Sequence, residues 1–206
     1  MAARPRTVAD ADILMALHAV VGRLGPARLT LADVAAEVGL SAAALVQRFG
    51  SKRGLLLAFA RAGAETANMC FTSVRAAHRS PLDALVAAAT LMTQSMGTPE
   101  ELANGLAFLQ IDISDPEFRK YALESFEKTH AGYRALLDDA VKAGELKRCD
   151  TATLAHAVAA MSGGSLIAWA VWQKGTAARW VKRDLETLLA PYRNVTAAPA
   201  RARPGA

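Results

Sequence analysis

The apolar residues of this 206-residue chain recur at spacings of three and four from one end to the other. Such spacing places apolar side chains on one face of an α-helix, whereas a half-buried strand requires alternation with a period of two. Alternating runs rich in Val, Ile and Thr do not occur in the sequence. The pattern therefore predicts an all-α fold.

Glycine, proline and capping residues divide this pattern into about nine predicted helices. Thr7 and Asp10 form a capping pair at the start of the first helix, and Gly25-Pro26 ends it. The predicted helices cover residues 7–24, 30–39, 41–49, 51–75, 81–96, 98–111, 115–143, 151–174 and 176–192. The last residues, 194–206, have no apolar face and are predicted to be disordered.

The second and third helices have the spacing of a helix-turn-helix motif. Ala35 is followed by Gly39 four residues later and by Leu45 six residues after that. A small residue lets two helices pack closely, a glycine supplies the positive φ of a three-residue turn, and a leucine fills the angle between the helices. Capping residues at the start of both helices, Thr30 and Ser41, strengthen this interpretation.

Positive charge is concentrated in the first third of the chain. Residues 1–61 contain 8 Lys/Arg and 4 Asp/Glu, so they carry +4 of the formal net charge of +5. This excess favours a polyanion as the partner of the first third. The charge alone is equally consistent with the solvated surface of a basic protein.

The third helix has a thin outer face. With Leu45 turned to the core, alanines and one amide point outward, flanked by basic residues. Such a face can enter the major groove, where alanine can contact thymine methyl groups, an amide can read adenine and basic side chains can bind phosphates. Alternatively, the alanines reflect only helix propensity. The predicted DNA-contacting residues are Arg4, Arg6, Thr30, Ser41, Ala43, Ala44, Gln47, Arg48 and Lys52.

The segment T-L-A-D-V-A-A-E-V-G-L-S-x3-L-x3-F-G-S-K-R-x-L-L, from Thr30 to Leu56, resembles the DNA-binding domain of the tetracycline-repressor (TetR) family of bacterial regulators. The resemblance covers residues 7–61 and implies a homodimer, whose C-terminal helices form the dimer interface and enclose a small-molecule pocket. It also implies that Lys52 contacts a phosphate. The family usually has a tyrosine at the position of Val46, so we expect that contact with the DNA backbone to be lost or replaced.

This resemblance divides the chain into three predicted parts. Residues 1–61 form the helix-turn-helix domain, a long fourth helix joins it to a helical effector-binding and dimerisation domain at 62–193, and 194–206 are the tail. The candidate pocket residues are Met92, Met96, Phe108, Phe126, His130, Tyr133 and Trp169. Their alternative role is ordinary core, since Met and aromatic residues at helical spacing are found in any core.

A Ser-Gly-Gly-Ser step at residues 162–165 interrupts an otherwise apolar helix. Each glycine costs about 1 kcal/mol relative to alanine in a helix. We expect the close approach of another helix to offset this cost, as at a two-fold dimer contact. The alternative is a kink or a helix end. The predicted interface residues are Gly163, Gly164, Trp172, Val181, Leu185 and Leu188.

The sequence lacks the patterns of several other classes of protein. It has no paired nucleophile and base, no acidic metal cluster and no glycine-rich phosphate loop, so we predict no enzyme activity, no cofactor and no metal. Cys70 and Cys149 share no disulfide or zinc-ligand spacing. The N-terminus does not resemble a signal peptide. The most apolar segment, 151–172, contains His156 and is predicted to be a buried helix rather than a membrane span, which favours a cytoplasmic protein.

The predicted function is that of a dimeric, ligand-responsive transcriptional repressor. It would recognise a palindromic operator on double-stranded DNA through its third helix and respond to a small, largely apolar effector. The alternatives are a helical enzyme or binder of an apolar small molecule, and a protein that coats DNA without specific sites. The lack of catalytic groups disfavours the enzyme, and the large, nearly neutral C-terminal part disfavours the coating protein.

Overall fold

A computed structural model describes residues 8–91, 93 and 97–194 of the chain. These residues form ten α-helices and one short 3-10 turn, which confirms the predicted all-α fold. The helices are α1 (Asp10–Arg28), α2 (Leu31–Glu37), α3 (Ala42–Phe49), α4 (Lys52–Thr66), α5 (Met69–Ala77), α6 (Pro81–Leu91), α7 (Pro99–Ser114), α8 (Pro116–Lys142), α9 (Thr151–Trp172) and α10 (Ala177–Leu189), and the turn is Ala190–Tyr192.

The start of α1 differs from the prediction, and its end agrees with it. The residue before the helix is Ala9, whose backbone N–H donates to the Asp12 carboxylate at 3.3 Å. Asp10 therefore lies in the first turn, and the predicted pairing with Thr7 falls on a residue outside the described ones. Gly25 interrupts the helix with φ +75°, and a last turn follows it up to Arg28. Left-handed backbone of this kind favours glycine.

The helix-turn-helix pair begins where the capping residues predict. The Thr30 hydroxyl accepts from the Asp33 N–H at 3.2 Å, and the Asp33 carboxylate accepts from the Thr30 N–H at 2.7 Å. Hydrogen bonds from the Thr30 side chain and backbone also lower the pKa of Asp33. The Ser41 hydroxyl accepts from the Ala44 N–H at the start of α3. Between the helices, Gly39 has φ +67°, as the turn requires.

The predicted fourth helix is two helices. α4 ends at Thr66 and α5 begins at Met69, where the sequence pattern predicts one helix up to about residue 75. The Thr66 hydroxyl donates to the Ala62 carbonyl at 2.8 Å. A hydroxyl that bonds to the preceding turn competes with the backbone ladder and bends helices. This single extra break accounts for ten helices in the described residues rather than about nine.

The buried side chains form two clusters. The N-terminal cluster, which we call the head core, contains residues of α1 to α4 and is completed by Phe108 of α7 and Phe118 of α8. The second cluster, the body core, is built from α5, α6, α8, α9 and α10. Helix α8 therefore contributes side chains to both cores, whereas α7 contributes to the head core. The region of residues 92–96, into which α6 was predicted to continue, is described only at Thr93.

Helix α9 is long and apolar enough to cross a membrane by length and composition. It packs against α8 and α10, and the hydroxyl of its Ser165 donates to the Asp184 carboxylate at 2.7 Å. Only 28% of its most apolar window is buried within the chain. The helix therefore packs into the core along one face and exposes an apolar surface on the other, whereas the sequence predicts a buried helix.

The end of the described chain is fixed to the loop after α8. The backbone N–H of Asn194 donates to the Glu145 carbonyl at 3.0 Å, and its side-chain amide donates to the Gly144 carbonyl at 2.7 Å. Asn194 therefore belongs to the body and not to the predicted tail, of which residues 195–206 lie outside the described residues.

Candidate nucleic-acid interface and effector pocket

The structure orients α3 as the sequence predicts, with Leu45 toward the core. Leu45 is fully buried in the head core, whereas Ala43 and Gln47 are exposed and Ala44 is half-buried. Among the described residues, no group hydrogen-bonds to the Gln47 amide, so both its donor and its acceptor are available to a base edge. Val46, at the position of the family's usual tyrosine, is 45% exposed on the same surface.

Arg48 connects this surface to the N-terminus. Its guanidinium donates to the Val8 carbonyl at 2.6 Å and lies 3.3 Å from the Asp10 carboxylate. Arg48 thus fixes Val8, the first described residue of the chain. The predicted contacts Arg4 and Arg6 precede it and lie outside the described residues.

Lys52 contacts the turn that precedes Thr30, the residue that caps α2. The Lys52 ammonium donates to the Ala27 carbonyl at 3.0 Å, next to the turn that leads into α2. An ammonium has three donors, so two can still reach a phosphate. Thr30 and Ser41 are both exposed, and their hydroxyls cap α2 and α3.

Arg53 follows Lys52 in the sequence, but its side chain forms ion pairs within the protein. Its guanidinium donates to Asp115 at 2.7 Å and to Glu117 at 2.6 Å, and it lies 5.4 Å from the centre of the Phe118 ring. The Arg53 hydrogen bond lowers the pKa of Asp115. The first turn of α4 is therefore attached to the junction of α7 and α8, a contact that no local sequence signal could identify.

Gly54 is required for the close approach of α3 and α4. A Cβ at this position would collide with the Phe49 carbonyl oxygen, which ends α3. By contrast, a Cβ at Gly63 of the same helix would meet no atom within 4 Å. Only the first of these two glycines is explained by packing within the chain.

The structure separates the predicted pocket residues. Tyr133 and Trp169 are buried in the body, where Tyr133 packs edge-on against Phe71 at 5.0 Å. His130 stacks on His156 with ring centres 5.3 Å apart. Met92 and Met96 lie outside the described residues. Of the described candidates, Tyr133 and Trp169 are buried in the body and do not line the pocket that Phe108 and Phe126 share.

Phe108 and Phe126 do meet, at a pocket of about 160 Å³ between three helices, the α4–α7–α8 pocket. Its lining residues are Phe59, Ala60, Gly63, Ala64, Phe108, Asp112, Tyr121, Ala122, Ser125 and Phe126. Asp112 was not predicted. Its Oδ1 is buried without a hydrogen-bond partner among the described residues, and burial raises the pKa of this carboxyl to about 6. The sequence signal that could have identified Asp112 is a single acidic residue within the largely apolar run Phe-Leu-Gln-Ile-Asp-Ile.

The predicted dimer residues also divide into two groups. Val181 and Leu185 are fully buried in the body core, so they are excluded from a subunit contact. Gly163 and Gly164 are exposed, and a Cβ at either would meet no atom of the chain within 4 Å. No helix of the described chain approaches the glycine step.

Exposed apolar side chains extend the surface around this step. Trp172 is 61% exposed, and Ile167 and Val171 of the same helix are 49% and 73% exposed. Leu188 of α10 is half-buried. Ile167 and Val171 follow the helical spacing of Gly163, Gly164 and Trp172, so the sequence pattern could have identified them as well. We call Gly163, Gly164, Ile167, Val171 and Trp172 the α9 surface.

Comparison with known proteins agrees with this architecture. Residues 13–59 match the family described as bacterial regulatory proteins, tetR family. A TetR transcription regulator from Haloarcula marismortui is 17% identical, with a TM-score of 0.72 and coverage of 90% of this chain and 98% of that one. SmeT, the repressor of the multidrug efflux pump SmeDEF of Stenotrophomonas maltophilia, is 20% identical, with a TM-score of 0.66 and 97% of both chains covered.

A third solved structure is that of a protein from Saccharomonospora viridis in complex with choline. It is 18% identical, with a TM-score of 0.69 and coverage of 88% of this chain and 95% of that one. No curated protein matches the chain in sequence. Residues 13–59, within α1 to α4, therefore resemble the tetR family of bacterial regulatory proteins, and the described chain has the fold of solved TetR-family regulators.

Proposed function

We propose that the protein is a homodimeric transcriptional repressor that binds a palindromic operator through α3 and releases it when a small molecule binds the body. The observation that carries the proposal is the exposed face of α3. It presents Ala43 and the unpaired Gln47 amide, with Arg48 and Lys52 at its edges. This arrangement combines a thin base-reading face with two basic residues near its end, Arg48 in the last turn of α3 and Lys52 at the start of α4, as major-groove binding requires.

The proposed DNA contacts are of two kinds. Gln47 reads a base, and Ala43 and Ala44 allow the close approach. Lys52 and the hydroxyls of Thr30 and Ser41 bind phosphates, which position the helix but carry no sequence information. Arg48 holds the start of the N-terminal segment, from which Arg4 and Arg6 reach the adjacent minor groove.

Dimerisation is supported by the α9 surface. Its glycines leave open space, and its apolar side chains are exposed. Contiguous exposed apolar surface of this kind marks interaction sites, and a second copy of the chain is the partner that a two-fold operator requires. Trp172 and the half-buried Leu188 remain in this proposed interface.

Ligand response is supported by the position of the α4–α7–α8 pocket. Its lining includes Phe59 and Phe108, which also belong to the head core or pack against it. A ligand there contacts α4, whose first turn carries Lys52. For a tenfold loss of DNA affinity, the ligand needs to favour the DNA-incompetent arrangement by about 1.4 kcal/mol. The repressor SmeT and the choline complex show that proteins of this fold include a repressor and a small-molecule binder.

A protein with this function acts on DNA in the cytoplasm and performs no catalysis. In the described residues, no group of three or more His, Cys, Asp or Glu could hold a metal ion. The proposed action is binding to DNA and to an effector.

Footprinting on fragments of bacterial DNA tests the function. We expect a discrete palindromic footprint, with one half-site for each subunit. A continuous footprint would instead support a protein that coats DNA, and no footprint would support a helical enzyme or small-molecule binder.

A further inference from the structure

The α4–α7–α8 pocket contains a carboxylate whose charge is not compensated. Asp112 lies near the end of α7, and its Oδ1 is buried without a hydrogen-bond partner among the described residues. An ionised carboxylate in such a place costs free energy unless a positive charge or a donor accompanies it. The structure supplies neither from the described residues.

The walls around Asp112 are aromatic. Phe59 and Phe108 meet edge-on with ring centres 5.5 Å apart, and Tyr121 and Phe126 of α8 contribute the facing wall. Aromatic faces attract cations through the ring quadrupole, and sets of such rings recognise quaternary ammonium groups. Phe126 is 53% exposed, which places one ring of the wall at the edge of the protein surface.

Asp112 is the one acidic side chain in the described lining of the pocket. The same described lining contains no Lys, Arg or His, and Tyr121 of α8 is the other titratable group there. Outside the lining, Arg61 of α4 lies 3.7 Å from Glu65, and Lys128 of α8 lies 2.7 Å from Glu124. Both cations contact carboxylates on their own helices, and the Lys128 ammonium also donates to the carbonyl of the lining residue Ala64 at 2.8 Å.

The size of the pocket limits the ligand. A cavity of about 150 Å³ holds benzene, and the volume here is about 160 Å³. We propose that the α4–α7–α8 pocket binds a small organic cation, a quaternary or protonated ammonium compound, with Asp112 as its counter-ion and the aromatic side chains around it. This inference rests on the proposed function, because it names the class of effector for the same pocket.

The test compares two probes of nearly the same shape and different charge, tetramethylammonium and tert-butanol, by calorimetric titration at constant ionic strength. We expect the wild type at pH 8 to bind tetramethylammonium at least tenfold more tightly than tert-butanol. Asp112→Asn keeps the size of the side chain and removes its charge, so the preference should disappear. Asp83→Asn, an exposed position on α6, is the matched control and should keep the preference.

Two further experiments test where the probes bind and whether Asp112 must be ionised. Gly63 lines the pocket, and a Cβ there meets no atom within 4 Å, so Gly63→Leu should fill the space and abolish binding of both probes. Lowering the pH from 8 to 5 should weaken cation binding about tenfold, because the carboxyl must be ionised and its pKa is about 6. Equal affinity for the two probes, no binding of either, or an unchanged preference in Asp112→Asn would overturn the proposal.

These titrations contain no DNA, so they separate this inference from the proposed function. A protein that prefers the cation but gives no discrete footprint would keep the cation site and lose the regulatory role. A protein with a discrete footprint and no cation preference would do the reverse.

Discussion

Asp112 is the residue at which packing and charge conflict most clearly. Burial raises its pKa to about 6 from an ordinary value near 3.8. Between these two pH values the carboxyl is mostly protonated in the folded state and mostly ionised in the unfolded state. The destabilisation is absent below about pH 4, grows as the pH rises, and is complete above pH 6. Perturbed pKa values of this kind cluster at functional sites.

Asp112→Asn should therefore stabilise the free protein at pH 8. We expect a gain of about 1 kcal/mol, smaller than the pKa shift alone would give, because the residue is only partly buried and water screens its charge. The gain should fade as the pH is lowered toward 4. Thermal unfolding over this pH range measures it, with Asp83→Asn as the control. A variant less stable than the wild type at pH 8 would show that Asp112 has a favourable partner.

Arg48 is expected to act on DNA through charge and through its hold on Val8. Arg48→Ala should weaken binding to all duplexes and reduce the magnitude of the slope of log affinity against log salt by about 1. Arg79→Ala removes the same charge from an exposed position in the body, after α5, and is the matched control. Equal salt slopes for the two variants would exclude Arg48 from the DNA interface.

At the scale of elements, the sequence predicts where helices begin better than where they bend. Thr30 and Ser41 act through hydrogen bonds three residues away, so local sequence is enough to identify α2 and α3. The break after Thr66 was missed because threonine is compatible with a helix and the apolar spacing continues across it. The attachment of Arg53 to Asp115 and Glu117 was missed because it joins residues more than 60 positions apart.

Two glycines of α4 should respond in opposite ways to the same substitution. Gly54→Ala should destabilise the protein by about 1 to 3 kcal/mol, because its Cβ would collide with the backbone oxygen of Phe49. Gly63→Ala should stabilise it by up to about 1 kcal/mol, because alanine is the better helix former and has open space there. Chemical denaturation measures both changes. A stabilised Gly54→Ala variant would contradict the close α3–α4 contact.

At the scale of the whole molecule, apolar spacing predicts the fold class but not which helix faces are buried in the core and which are exposed. Val181 and Leu185 have the spacing of an interface stripe, yet α6 and α9 cover them within the chain. Phe108 and Phe126 line one pocket and Tyr133 and Trp169 are buried in the body, but the sequence pattern does not distinguish the two pairs. Their separation depends on which helices become neighbours, and this is decided by long-range packing.

The α9 surface gives a prediction about assembly. Gly164→Leu should convert the dimer to a monomer while preserving helicity, because the new side chain occupies the space that a second subunit requires. Sedimentation with circular dichroism measures both properties. Gly105→Leu places the same side chain on α7, where a Cβ also meets no atom within 4 Å, and should remain dimeric. A helical, dimeric Gly164→Leu variant would place the interface elsewhere.

The central claim is that α3 reads a specific operator, and selection of bound fragments from random duplexes tests it most directly when wild type and Gln47→Ala are selected in parallel. We expect the wild type to enrich one palindrome. Gln47→Ala should enrich the same palindrome with the preference relaxed at one base position in each half-site, at a cost of roughly 1 to 3 kcal/mol there. The absence of any enriched palindrome would contradict operator recognition, and identical palindromes for both proteins would contradict base reading by Gln47.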